Sequence, residues 1–108
     1  MERKSKKMIA QEFARALKDR FQDRIVKMIL YGSVGRGEET GESDIDVLVI
    51  AREREEVLLG LPEVLSEFIL KYDVLPEVIL LSEDEFTDIQ RRKTPYYRSI
   101  ETEGVAVG

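Results

Sequence analysis

GSVGRGEETGESDIDVLVI, residues 32–50, sets four glycines and a run of acidic side chains between two apolar segments. It ends on Asp44-Ile45-Asp46, which leads directly into Val47-Leu48-Val49-Ile50. A strand buries apolar faces, so carboxylates at its mouth need a reason. Residues two apart on a strand share a face, with Cα atoms about 6.5–7 Å apart. Asp44 and Asp46 are therefore expected side by side, while Ile45 and Val47 turn to the core. Two like charges so placed repel unless a cation sits between them, and hard carboxylate oxygens suit Mg2+ or Mn2+. The alternative is a solvated turn at Ser43 and Asp44 that leaves Asp46 a lone exposed charge. The four apolar residues after Asp46 weigh against it.

The loop ahead of the carboxylates has its own chemistry. Gly32 follows an apolar run and lets the backbone approach a ligand closely, and Ser33 adds a hydroxyl. A helical turn over 34–39 would aim backbone N–H groups at an anion, and Arg36 would close a charge-assisted contact on a phosphate. Taken alone, the loop reads as readily as an ordinary glycine-rich hairpin. Loop and carboxylates together describe a phosphate cradle beside a metal-binding strand, the parts that phosphoryl or nucleotidyl transfer needs.

Composition narrows the chemistry. With 108 residues the chain is expected to be one domain spanning 1–108. It has no cysteine and no histidine, which excludes disulfides, thiolate metal sites and histidine acid/base catalysis. A net charge of −5 argues against non-specific nucleic-acid binding. The basic clusters Arg3, Lys4, Lys6, Lys7 and Arg91, Arg92, Lys93 read as solvated helix surface. No apolar run approaches the roughly 20 residues of a membrane span, and the N-terminus is too polar for a signal peptide. A cytoplasmic protein is expected, with no membrane association.

Periodicity supplies the framework. Ile9, Phe13, Ala16, Leu17 and Phe21 recur at helical spacing over residues 5–21. Ile25–Tyr31 and residues 45–50 read as buried strands. Val57, Leu58, Leu61, Val64, Leu65, Phe68 and Ile69 mark a helix over 54–71, which Pro62 is expected to kink or split near Gly60. Val74–Leu81 reads as a third strand, with Pro76 limiting it to an edge or to its own first residues. Ser82 and Glu85 form a capping box opening a helix to about Arg92. Thr94-Pro95 starts a short last helix ending before Gly104, and Val105–Val107 offers a final strand. The expected fold is α/β (α+β), a small mixed sheet of three or four strands packed against helices.

Gly32-Ser33, Arg36-Gly37 and Ser43-Asp44-Ile45-Asp46 resemble the Gly-Ser…Asp-x-Asp signature of the DNA polymerase β-type nucleotidyltransferases. Ser82 to Phe86 and the Glu103-Gly104-Val105 ending extend the resemblance along the chain, more narrowly to the minimal nucleotidyltransferases of bacteria and archaea. The resemblance implies that Gly32 and Ser33 hold nucleotide phosphates, with Arg36 a further phosphate contact. It implies that Asp44 and Asp46 ligate Mg2+ (or Mn2+) bridging the triphosphate of ATP or another NTP and the attacking hydroxyl. A third carboxylate, usually an aspartate, comes from a neighbouring strand. Glu77 holds the matching position here, and Asp73 is the alternative if the strand runs through Pro76. The implied role is transfer of AMP to a hydroxyl of a HEPN-type helical partner, with this chain the antitoxin of a toxin–antitoxin pair. A homodimer is compatible with an edge strand. Glutamate in place of aspartate also leaves room for an inactive module that works by binding its partner.

Overall fold

The protein is described by a computed structural model that covers residues 5–31 and 45–107. Helix α1 spans Lys6–Phe21, and the Ser5 hydroxyl caps it by accepting the Met8 N–H at 3.1 Å. A single 3-10 turn, Gln22–Arg24, leads into strand β1, Ile25–Tyr31. Strand β2, Asp46–Ala51, is followed by helix α2, Arg54–Tyr72, and strand β3, Glu77–Ser82. Helices α3, Glu83–Arg92, and α4, Pro95–Glu103, precede strand β4, Val105–Val107. The sheet order is β3-β2-β1-β4. β1 runs antiparallel to both β2 and β4, whereas β2 and β3 are parallel, joined by α2 as a βαβ unit. The expected small mixed sheet is thus present with four strands, and β3 lies at an edge as Pro76 implies.

Packing explains the order of layers. Phe13 and Leu17 of α1 and Val57, Leu61, Val64 and Phe68 of α2 bury one sheet face, meeting Met28, Leu30, Val47, Val49 and Leu80. Phe13 and Phe68 touch edge to face at 5.3 Å. The opposite face is also covered. Ile29, Leu48, Ile50 and Ile100 form a second buried cluster, walled by Tyr31, Leu81, Phe86 and Tyr96. The alternation read from the sequence, with Ile45, Val47 and Val49 inward, therefore describes half of β2. Both of its faces are buried, and Asp46 sits where the second face opens.

Two expectations are corrected. The helix over residues 54–71 is neither ended nor divided at Gly60: α2 is one element through Pro62. Pro62 is exposed, while Leu61 and Val64 on either side are buried and hold the helix against the sheet. Gly60 serves packing, since a Cβ there would lie 2.8 Å from the Phe21 ring. The third strand begins at Glu77 rather than Val74. Asp73 is the left-handed C-cap of α2 (φ 54°), its N–H donating to the Ile69 carbonyl at 2.9 Å. It thus shares no strand face with Glu77. Among the described residues, no helix is long and apolar enough to cross a membrane.

Candidate active site

Three side chains form a row across one end of the sheet. Tyr31 closes β1, Asp46 opens β2 and Glu77 opens β3, and Asp46 is in register with both, Tyr31 on one side and Glu77 on the other. Directly paired residues present their side chains on one face, so Tyr31, Asp46 and Glu77 project together. The Glu77 N–H donates to the Ile45 carbonyl at 2.7 Å and fixes the start of β3 against β2. From the other end of β3, the capping box at Ser82 and Glu85 locks the turn into α3, with reciprocal hydrogen bonds of 3.1 and 3.0 Å. Arg54 Nε adds a hydrogen bond to the Leu80 carbonyl at 3.1 Å, tying the start of α2 to the same strand.

Beneath the row lies α4. Thr94 accepts the Tyr97 N–H at 3.2 Å and Pro95 occupies the first turn. This start places Tyr96 edge-on to Tyr31, with ring centroids 6.1 Å apart and planes at 89°. Burial raises the Tyr31 phenol above its ordinary value; Tyr96 partly offsets this, and the Asp46 and Glu77 carboxylates add to it. Burial likewise pushes the Tyr96 phenol far up, with Tyr31 and then Asp46 contributing. Although the two phenols interact, the buried Tyr96 Oη has no partner at hydrogen-bonding geometry among the described residues.

Asp46 and Glu77 thus lie on adjacent strands, in register, on one face. Neighbouring strands are about 4.8 Å apart, and like charges directly opposite are destabilising. A divalent cation resolves that repulsion, and carboxylate oxygens are the donors that Mg2+ or Mn2+ takes. The described residues contribute these two carboxylates and no group of three or more potential ligands. Gly32, Ser33, Arg36 and Asp44 lie outside the described residues, in the segment that joins Tyr31 to Ile45.

Tyr31 and Tyr96 belong to the site but are not singled out by sequence motifs. Tyr31 could have been found by pairing the strands on either side of residues 32–44, which sets it opposite Asp46. Tyr96 carries no local signal, because its place is fixed by the packing of α4 on β1.

Residues 10–107 match the family model described as "Nucleotidyltransferase domain". A Methanocaldococcus jannaschii protein named as a protein adenylyltransferase is 36% identical over 93 residues, covering 86% of this chain and 88% of that protein. Among solved structures, a Sulfolobus solfataricus protein described as a nucleotidyltransferase superposes with a TM-score of 0.54 at 20% identity, covering 93% of this chain and 77% of its own. A toxin–antitoxin structure with AMP-PNP gives a TM-score of 0.54 at 18% identity over 89% of this chain and 70% of that one. The two structural likenesses show the fold. With its carboxylates in register at the mouths of β2 and β3, and with matched sequence over almost its whole length, the chain belongs to the nucleotidyltransferase domain family.

Proposed function

We propose that this chain is a Mg2+-dependent nucleotidyltransferase that transfers AMP from ATP to a hydroxyl of a partner protein, acting as the antitoxin of a HEPN-type helical partner. The observation that carries the reading is the in-register pair Asp46 and Glu77 at the open end of the second sheet face. The similarity to a protein named as an adenylyltransferase supports the choice of AMP and of a protein acceptor.

In this reading Gly32 and Ser33 hold the triphosphate and Arg36 closes on it. Asp44 and Asp46 hold the metal, with Glu77 completing the site on the acceptor side. The metal supplies neutralisation of the phosphates and a lowered pKa for the attacking hydroxyl. The acceptor oxygen bonds to the α-phosphorus, the bond from that phosphorus to the bridging oxygen breaks, and pyrophosphate leaves. The proton lost by the hydroxyl passes to solvent past Glu77, which is exposed. Strand pairing holds Asp46 and Glu77 at fixed spacing, so the chain's contribution is positioning.

Incubation with α-labelled ATP, Mg2+ and the helical protein encoded in the neighbouring reading frame tests the proposal. Label should appear on the partner with wild type and fall by at least about a hundredfold with Asp46→Asn. Equal labelling by both proteins would remove the enzymatic reading.

A second reading, a module that neutralises its partner by binding, is favoured by the apolar surface of α2. Leu59 and Leu70 there are 83% and 87% exposed, with Leu58 and Ile69 beside them also exposed. Under that reading Leu59→Glu with Leu70→Glu abolishes neutralisation in a co-expression growth assay, and Asp46→Asn leaves it intact.

A further inference from the structure

Tyr96 presents an unusual cost. Its hydroxyl oxygen is buried and has no partner at hydrogen-bonding geometry among the described residues, although it interacts with the Tyr31 phenol, and leaving such a group unpaired is unfavourable. Phenylalanine would make the same edge-on ring contact with Tyr31 without that cost. A buried unsatisfied polar atom calls for an explanation beyond packing. Its surroundings point to one. The Tyr96 ring meets Tyr31, and Tyr31 is the in-register partner of Asp46. An enclosed hydroxyl cannot itself touch a nucleotide, so whatever it does passes through its neighbours.

We propose that Tyr96 is a positioning residue for the metal site: its hydroxyl orients the Tyr31 phenol, and Tyr31 holds the Asp46 carboxylate in the rotamer that ligates the cation. The inference rests on the reading of Asp46 as a metal ligand. In this arrangement Tyr96 donates and the Tyr31 oxygen accepts, the sense in which the two phenols already influence each other. Tyr31 then has its own proton for the carboxylate, so the chain of donors runs in one direction. Partners of this kind around ligating carboxylates commonly carry a 10–100-fold effect on metal affinity. The arrangement also links the site to the end of the chain. The Gly104 N–H donates to the Ile100 carbonyl at 2.8 Å, and a Cβ at Gly104 would lie 2.6 Å from Ile29 Cγ2, so α4 is seated tightly on β1.

Free Mn2+ measured by electron paramagnetic resonance gives a binding constant that does not require turnover. Tyr96→Phe and Tyr31→Phe should each weaken Mn2+ binding by about tenfold. The double variant should be no weaker than Tyr31→Phe alone, because one residue acts through the other. Thermal midpoints should stay at or above wild type, since each change removes only a hydroxyl. Asp46→Asn is the control that separates the two ideas. If wild type binds Mn2+, Asp46→Asn does not, and Tyr96→Phe binds as tightly as wild type, positioning by Tyr96 is overturned while the metal site stands. Additive losses in the double variant would equally overturn action through Tyr31. If Asp46→Asn binds as wild type does, the metal reading fails and the inference falls with it. Should Tyr96→Phe fold poorly, Tyr31→Phe carries the decision, for unchanged Mn2+ affinity there breaks the same chain.

Discussion

Glu77 stands where the resemblance read from the sequence implies a shorter aspartate, and its register with Asp46 gives that position a geometry. The extra methylene moves a carboxylate by about 1 Å, a displacement that can change a rate on the order of a hundredfold. Glu77→Gln keeps the shape, removes the charge and relieves repulsion from Asp46. Nucleotidyl transfer should fall by about a hundredfold or more, while thermal stability holds or rises by a few tenths of a kcal/mol. Pyrophosphate release and differential scanning calorimetry read the two effects separately. Glu77→Asp gives the complementary result, with activity retained or increased. Part of this arrangement is legible in the sequence: Asp46 ahead of an apolar run marks the mouth of β2. Glu77 is named there by the family resemblance alone, because the third strand reads as starting at Val74 and its register with Asp46 shows only in the sheet. Tyr31 and Tyr96 are not legible in the sequence, because the first meets Asp46 only across a strand pair and the second reaches Tyr31 only through helix packing.

At the scale of elements, capping chemistry is the most readable part of the chain. Ser82 with Glu85, Thr94 with Pro95 and the ends of β1 all fall where local sequence places them. These signals act within one turn, so tertiary context does not disturb them. Gly60 and Pro62 mislead because both are ordinarily breakers, and the forces that override them come from elsewhere. Buried contacts of Leu61, Val64 and Phe68 hold α2 together, and the Phe21 ring demands a glycine on its neighbour. Two substitutions test this account. Ser82→Ala removes the cap of α3 and should cost about 1 kcal/mol in denaturant unfolding. Gly60→Val forces its side chain against Phe21 and should cost about 1–3 kcal/mol, although valine is otherwise no worse than glycine in a helix.

For the molecule as a whole, the charged surface and the missing histidine set the pH response. With no histidine, no side chain of ordinary pKa titrates between about pH 6 and 8. The Tyr31 and Tyr96 phenols are both raised in the folded state. Their contribution to stability is therefore complete below the ordinary phenol value of about 10 and is lost as pH rises through the folded values. The Glu85 carboxyl is lowered, chiefly by the Ser82 backbone hydrogen bond, so its contribution is present above the ordinary carboxylate value and is lost as pH falls. Circular-dichroism melts should show a midpoint nearly constant from about pH 6 to 9 and falling above about pH 10. The alkaline fall should be smaller in the Tyr31→Phe/Tyr96→Phe double variant. The parallel pairing of β2 with β3 has a different kind of consequence. Asp46 and Glu77 become neighbours only after the whole of α2 has crossed over the sheet, so a polypeptide emerging from the ribosome does not bring the two carboxylates together until residues beyond 77 have cleared the exit. On the metal-site proposal, Mn2+ binding then becomes a gauge of an intact crossover: a single proteolytic nick in α2 that lets β3 drift should abolish it.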